Sequence, residues 1–255
     1  AVWMWKKLVL RGSTRNKRGG EELAYFKGGF GRLANALVDF IEKNGGEVKL
    51  GEKVIGANIE GNKVKSLKTL NGEIHAKQFL LTPSFPIIAD IFKDEKNVEW
   101  IKKLQGVKYL GNICLVLRLK KSLSDTYWLN VNDPGFPFVG VIEHTNFDKP
   151  ENYKDSHIVY LSRYLATEDP IWKYNDSEYL NYSIKHLKRM FLDFESSWIL
   201  ESKVWRENYA QPIVEKNYSQ YLPNNETPYI NASIATMAQI YPEDRGTNYA
   251  IRDGR

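Results

Sequence analysis

The stretch FKGGFGRLANALVDF, residues 26–40, is the feature that most limits how this chain can fold. Its glycines permit a tight turn, and an apolar stripe at helical spacing follows them directly. Together with the NGG sequence at 44–46, the stripe predicts a helix over residues 32–44. The stripe consists of Leu33, Ala36, Leu37, Phe40 and Ile41.

Gly29, Gly31 and Ala34 also fit the G-x-G-x-x-G/A spacing of a pyrophosphate-binding loop. Such a loop needs a buried strand immediately before its first glycine and an acidic residue about 20 positions later. Here only LAYF precedes the glycines, with Lys27 inserted, and Glu52 falls in or after a turn. Both interpretations stay open, but the residues favour a turn that starts a packed helix.

Composition argues against several classes of function. The 255 residues carry a formal charge of +5 without a long basic block, so we predict no nucleic-acid partner. Cys114 is the only cysteine and the four histidines lack ligand spacing, so we predict neither a disulfide nor a metal site. No apolar run has the length of a transmembrane segment, and we expect a cytoplasmic protein.

The remaining pattern predicts an α+β fold with a discontinuous domain. Short strands with glycine turns are expected between residues 47 and 82, and a helix around 94–104. An antiparallel meander is expected next, with strands at 107–121, 126–131, 138–144, 157–165 and 198–208. Asn175 or Asp176 is a natural cap for an amphipathic helix within the meander.

Changes in residue composition and in the pattern of predicted helices and strands indicate four segments along the chain. Residues 1–27 form a leading segment, 28–85 a first part of one domain, 86–222 an inserted domain, and 223–255 a return to the first domain. Such an insertion is common where a substrate site is built over a cofactor fold.

Four stretches resemble the superfamily of flavin-containing amine oxidases, protoporphyrinogen oxidases and phytoene desaturases. In the family's order they are YFKGGFGRLANALVDFIEKNGGEVKLGEKV, NGEIHAKQFLLTPSFP, WRENYAQPIVEKNY and INASIATMAQIYPEDRGTNYAIRDG. The resemblance implies an FAD-dependent oxidoreductase that moves a hydride from a small organic substrate to flavin N5. Residues 28–85 and 223–255 would then belong to an incomplete α/β FAD-binding domain, and 86–222 to an antiparallel-sheet substrate domain.

Family members begin with a strand–GxGxxG–helix unit that binds the ADP half of FAD, and nothing before Phe26 matches it. The chain also opens without methionine and closes on YAIRDGR, which resembles an unfinished helix. We therefore expect a fragment, in which the glycine turn is a later feature of the family rather than its phosphate loop. An inactive, FAD-free fragment stays open as an alternative.

The resemblance implies three cofactor contacts before the inserted domain. A fourth contact that relatives make after it is in doubt in this chain. Val54 matches a strand position whose backbone meets the adenine. Thr82 and Pro83 match a corner that passes near the cofactor. Gln239 is the nearest candidate for a carboxylate with which relatives often grip the ribityl chain, so that contact is in doubt.

The closing motif implies further contacts. Gly246, Thr247 and Asn248 match the start of a helix that points its N–H groups and positive dipole at the flavin N1–C2=O edge. Arg245 is a candidate for an added positive charge there. The implied cofactor-binding set thus lies on a helix N-terminus as well as on strand ends.

In the inserted domain, Trp128, Phe138 and Tyr160 are candidates for stacking on a substrate. Glu143 and His144 are candidate catalytic residues, since a histidine beside a carboxylate is suited to proton transfer near neutral pH. Neighbours on a strand point to opposite faces, so at most one of these two faces the flavin.

A non-redox flavoenzyme similar to UDP-galactopyranose mutase is the alternative reaction class. It would favour arginines that grip a nucleotide diphosphate. The inserted domain offers arginines without a recognisable clamp: Arg118, Arg163, Arg189 and Arg206.

Overall fold

The computed structural model describes residues 4–5, 24–93, 95–243 and 246–254. The chain forms two compact units. Unit 1 comprises Ala1–Lys108 and Val214–Arg255, and unit 2 comprises Tyr109–Ile213. Helices and sheets are mixed, which confirms the predicted α+β class. The roles assigned above to the domains stay predictions.

Unit 1 has helix α1 (Gly31–Lys43) followed by an antiparallel sheet of three strands. In spatial order these strands are β1 (Val54–Glu60), β2 (Lys63–Thr69) and β3 (Gly72–His75). Gly61 joins the first two strands with φ at +60°, a left-handed conformation that glycine adopts without steric cost. The glycine turns were predicted correctly, whereas residues 47–50 form no strand.

A second sheet in unit 1 is a parallel pair. Strand β4 (Phe79–Leu81) pairs with β10 (Ala232–Ile234), which returns to unit 1 after the whole of unit 2. Helices α2 (Phe85–Ile91) and α3 (Val98–Gly106) follow β4 directly. Because β4 and β10 are parallel, their carboxyl ends point in the same direction.

Helix α2 was not predicted from the sequence, because a proline such as Pro86 breaks a helix when it lies in the interior. Pro86 instead lies in the first helical turn, where a missing N–H costs nothing. Phe85 and Ile88 on this helix are completely buried. A proline pair thus marks a helix start here, not a loop.

Helix α1 has the predicted bounds to within one residue, but it is not packed as expected. No residue of α1 is buried, and its apolar side chains Leu37 and Phe40 are 56% and 67% exposed. Gly28 and Gly29 precede it with φ near +90°, at +86° and +89°. Glycine adopts this backbone conformation without steric cost, so the geometry of the turn explains why glycine occupies both positions.

Unit 2 contains one antiparallel sheet of five strands. The spatial order is β6 (Trp128–Asn130), β7 (Gly140–Glu143), β8 (His157–Leu165), β5 (Tyr109–Leu119) and β9 (Ile199–Pro212). All four pairings are antiparallel, as predicted. The strands do not form a meander, however, because β5 lies between β8 and β9 and not beside β6.

Helix α4 (Asp176–Met190) buries Tyr179 and Leu187 in the core of unit 2. Asn175 caps it: the Asn175 side chain accepts from the Glu178 N–H at 2.9 Å, and Glu178 accepts from the Asn175 N–H at 2.8 Å. This reciprocal box satisfies two N–H groups that a helix start leaves unpaired. The sheet contributes fully buried side chains to the same core: Ile113, Leu115, Leu117, Leu119, Val159 and Leu161.

The C-terminal part of unit 1 contains the short helices α5 (Tyr218–Tyr221) and α6 (Thr247–Asp253). Asn231, just before β10, is bound to the backbone of β2. Its Oδ1 accepts from the Val64 N–H and its Nδ2 donates to the Val64 carbonyl, both at 2.9 Å. This pair of bonds ties the three-stranded sheet to the parallel pair.

Candidate functional site

A cavity of about 530 Å³ lies at the carboxyl ends of β4 and β10. Thr82 follows β4 directly, and Ala235 and Thr236 follow β10; all three line the cavity. The Ala235 N–H donates to the Leu81 carbonyl at 3.0 Å, which holds the two strand ends together. Because ligands of α/β folds bind outside the carboxyl ends of parallel strands, this cavity is the candidate site.

The remaining wall combines apolar side chains with a few polar groups, as small-molecule sites generally do. Leu80, Met237 and Ile240 supply apolar surface, and Gln239 and the second half of α6 supply polar surface. Leu80 is 64% and Met237 39% exposed, so these two side chains are accessible to a ligand, whereas Ile240 is buried.

Gln239 lies in the wall, but its amide is already engaged. Its Oε1 accepts from the Thr236 N–H at 2.7 Å, and its Nε2 donates to the Pro223 carbonyl at 3.1 Å. Gln239 therefore shapes the turn after β10 and has limited capacity left for a ligand.

Arg252, on the last turn of α6, brings a positive charge to the wall. Its Nε donates to Asp253 Oδ1 at 2.9 Å, and its guanidinium lies 3.8 Å from Glu243 Oε2. The hydrogen bond with Asp253 raises the pKa of Arg252, which keeps the guanidinium charged. The resemblance to relatives did not point to Arg252, because the closing motif draws attention to the start of this helix.

The predicted cofactor residues are distributed over unit 1. Thr82 lines the cavity, and Pro83 is the next residue along the chain. Val54 is the first residue of β1 and pairs with Thr69, apart from the cavity wall. Arg245 lies outside the described residues. The structure thus brings Thr82 to the candidate site and leaves Val54 elsewhere in the unit.

Gly246, Thr247 and Asn248 form the start of α6, as predicted. The cavity itself is lined from the same helix by Ala250 and by the residues after Ile251. The structure therefore presents the later part of α6 to the cavity. A role for the first turn stays a prediction.

In unit 2, two predicted substrate residues lie on one face of the sheet and the third does not. Trp128 pairs with Ile142, and Ile142 pairs with Tyr160. Phe138 is 1% exposed and belongs to the core under α4. The strand pattern alone did not reveal that Phe138 precedes β7 and points into the core.

Glu143 is almost completely buried, at 1% exposure. Its carboxylate accepts from the Ser122 hydroxyl at 2.6 Å and from the N–H groups of Leu123 and Ser124 at 3.1 and 3.0 Å. Glu143 lies opposite Val159, whose side chain is in the core. The carboxylate therefore fixes the loop before β6, and a catalytic role for it stays a prediction.

His144 begins a hydrogen-bonded chain. His144 Nε2 and the Tyr153 hydroxyl are 2.7 Å apart, and that hydroxyl donates to Asp148 at 3.0 Å. Burial lowers the pKa of His144, although the charge of Asp148 acts in the opposite direction. Burial also acts to raise the pKa of Asp148, but hydrogen bonds from Tyr153, Asn152 and the Lys149 N–H together lower it. A catalytic role for His144 stays a prediction.

The described residues contain neither a group of side chains placed to bind a metal ion nor a helix that could span a membrane. No group of three or more His, Cys, Asp or Glu residues is placed to hold a metal ion there. No helix among the described residues combines the length and the apolar character needed to cross a bilayer.

A cavity at the carboxyl ends of parallel strands, in a chain that also has an antiparallel-sheet unit, is typical of cofactor-dependent proteins with two domains. The sequence matches the family described as flavin containing amine oxidoreductase over residues 2–243. The chain belongs to this family, which confirms the resemblance drawn from its four stretches.

Solved structures share the fold at low sequence identity. An oxidoreductase from Methanosarcina mazei is 20% identical with a TM-score of 0.62, over 82% of this chain and 49% of its own. A candidate protoporphyrinogen oxidase from Exiguobacterium sp. 255-15 is 14% identical with a TM-score of 0.65, over 82% and 46%. Reduced UDP-galactopyranose mutase is 15% identical with a TM-score of 0.61, over 76% and 42%.

The chain thus spans about half the length of the first two of these proteins, 49% and 46%. Among curated proteins, none matches the sequence at a significant level.

Proposed function

We propose that the chain forms part of an FAD-dependent oxidoreductase, in which a hydride passes from an organic substrate to N5 of the flavin. The observation that carries the proposal is the cavity at the carboxyl ends of β4 and β10, in a chain of the flavin-containing family. The solved structures support the fold alone.

The residues around the cavity fit a flavin. A volume of about 530 Å³ lies within the range of about 300–1,000 Å³ found for small-molecule sites. Leu80, Met237 and Ile240 offer apolar contacts for a flat ring, and the Thr82 hydroxyl offers a hydrogen bond. When bound, the flavin supplies a hydride acceptor whose ring gains negative charge on reduction. Arg252, in the wall, would stabilise that charge after exchanging its present partners, Asp253 and Glu243.

The other cofactor contacts belong to the same proposal. The first turn of α6, at Gly246, Thr247 and Asn248, has N–H groups without partners within the helix, which suit an electron-rich edge of a ligand. Pro83 and Val54 stay candidates for contacts along the rest of an extended dinucleotide. Arg245 stays a candidate on sequence grounds.

The arginines of unit 2 do not favour the mutase alternative. Arg118 bonds to Glu201 and Arg163 to Asp169, at 3.2 and 3.5 Å. The other two behave alike: Arg206 bonds to Asp176 and to the Tyr174 carbonyl, and Arg189 to the Gly135 carbonyl. A diphosphate clamp would require these guanidinium groups to exchange their present partners, so the described contacts give the mutase alternative no support.

Spectroscopy with FAD tests the proposal. The 255-residue chain and, where its gene extends further, the longer product are purified, incubated with FAD and passed through a desalting column. We expect the flavin absorbance bands to be retained, to bleach anaerobically with an organic substrate, and to return with an electron acceptor. Failure of every form to retain FAD would support the FAD-free alternative. Turnover of a sugar nucleotide without an electron acceptor would support the mutase.

A further inference from the structure

Strand β9 lies at one end of the unit 2 sheet. Among the described residues, β5 is its only neighbour in the ladder. In an antiparallel ladder, every second residue turns its N–H and C=O groups away from a given neighbour. The pairing with β5 has no register shift between Glu201 and Glu207. We call residues 201–207 the β9 edge, because their outward backbone groups are placed to bond to a further strand.

The side chains of the β9 edge divide between the two faces of the sheet. Val204 belongs to the core of unit 2. Because neighbours on a strand alternate, Lys203 and Trp205 point to the opposite face, and so does Glu207. Trp205 is 60% exposed. An exposed aromatic ring therefore lies between a cation and an anion along one face of the edge.

The two charges beside Trp205 have no ion pair within the part of the chain that the structure describes. The Lys203 ammonium lies 5.4 Å from the centre of the Trp205 ring. One oxygen of Glu207, Oε1, accepts from the Tyr209 N–H at 3.1 Å. The ammonium and the second carboxylate oxygen can therefore bind opposite charges on a further strand without breaking these contacts.

A second copy of this chain offers such a strand. When two β9 edges pair antiparallel around a twofold axis perpendicular to the sheet, equivalent faces stay on the same side. One residue then lies opposite its own copy, and this central residue fixes every other pair. With Trp205 at the centre, residues 203–207 are paired. Lys203 of each copy then lies opposite Glu207 of the other.

The charges distinguish this register from its neighbours. Only the centres 203, 204 and 205 keep five or more residues of the β9 edge paired, since they pair 201–205, 201–207 and 203–207. Centre 203 places Lys203 opposite its own copy, and centre 204 places Glu201 opposite Glu207. Like charges directly opposed across two strands are destabilising. The register centred on Trp205 opposes unlike charges instead.

We propose that the β9 edge pairs antiparallel with the β9 edge of a second copy of this chain, with Trp205 at the twofold axis. Backbone hydrogen bonds, the two opposed Trp205 rings and two Lys203–Glu207 contacts stabilise the pair. A single strand pair is a small interface, so the dimer is weak and depends on concentration. The inference goes beyond the proposed function and does not depend on it.

Sedimentation velocity of the 255-residue chain over a range of concentrations tests for the dimer. We expect reversible association from one copy to two. Lys203→Glu should weaken it at least about tenfold, because both Lys203–Glu207 contacts become repulsive. Lys185→Glu, at an exposed position of α4, makes the same change of charge and should have no effect. A chain that stays monomeric at every concentration, or equal association of the two variants, would overturn the proposal.

A mixture of variants separates lost pairing from lost folding. Glu207→Lys alone should also weaken association, because it opposes like charges in its own dimer. Lys203→Glu and Glu207→Lys chains mixed together oppose unlike charges at both contacts, so the mixture should form dimers that neither variant forms alone. Failure of the mixture to associate, when the unchanged chain does, would contradict the register.

Cross-linking tests the register directly. In a Cys114→Ser background, Trp205→Cys places a thiol opposite its own copy, within the range of Cα separations that a disulfide spans. Mild oxidation should therefore yield a covalent dimer. Ser202→Cys in the same background is the control, because Ser202 lies opposite Asn208 in this register. Equal cross-linking at both positions, or none at residue 205 when the chain is dimeric, would exclude Trp205 from the axis.

Discussion

The two units of the chain differ in how completely they bury their apolar side chains. In unit 2, the inner face of the sheet and α4 enclose a core in which Leu115 and Leu161 are fully buried. In unit 1, neither α1 nor α6 has a buried residue, although α2 packs well. The candidate cofactor cavity is lined by residues of unit 1, including part of α6. It therefore lies in the unit that buries its apolar side chains less completely.

This difference bears on function as well as on stability. Segments that bind ligands are drawn from the less stable part of a folded protein. A ligand that binds only the folded form adds stability to the unit that holds it. We therefore expect unit 2 to be held by its own core and the cavity of unit 1 to be stabilised by its ligand.

The largest effect should come from the core of unit 2. Leu115→Ala removes a fully buried side chain and should lower the free energy of unfolding by about 2–5 kcal/mol. Phe40→Ala removes a larger side chain from the exposed face of α1 and should change it by less than about 0.5 kcal/mol. Chemical denaturation measures both. An equal loss in the two variants would show that α1 is packed in solution and would remove the contrast between the units.

A smaller effect should come from the hydrogen bonds that join the sheets of unit 1. Asn231→Leu leaves the N–H and carbonyl of Val64 without their present partner, which should cost about 1–3 kcal/mol. Amide exchange should increase in β2 and β10 while the strands of unit 2 keep their protection. The exposed Asn208→Leu is the control. Unchanged exchange in β2 would mean that Asn231 does not hold the two sheets together.

Much of the secondary structure could be predicted because it follows from local pattern. The apolar stripe of α1, the Asn175 cap of α4 and the alternation in β8 lie within a few neighbouring residues. Helix α2 was missed because a proline breaks the interior of a helix but is tolerated in the first turn, where Pro86 lies. Local signals define elements better than they define which faces are covered, as the exposed face of α1 shows.

The candidate site could be predicted only in part, because it depends on contacts between distant residues. Thr82 was found through the resemblance, but Arg252 reaches the cavity only through the position of α6. Asn231 and Val64 are 167 residues apart, and no local sequence pattern predicts the hydrogen bonds between them. Phe138 and Tyr160 are both aromatic residues of unit 2, yet Phe138 precedes β7 and packs in the core, whereas Tyr160 lies opposite Ile142 on the other face of the sheet.

The most direct test of the central claim is the FAD affinity of two variants of α6. Ala250 lines the cavity, whereas Ile251 is its neighbour on the same helix and is not part of the wall. Ala250→Trp should fill the cavity and weaken FAD binding at least about tenfold, a loss of about 1.4 kcal/mol, while Ile251→Trp should leave it unchanged. Titration of each variant against the flavin absorbance measures both. Equal FAD affinity in the two variants would contradict the assignment of this cavity to the flavin.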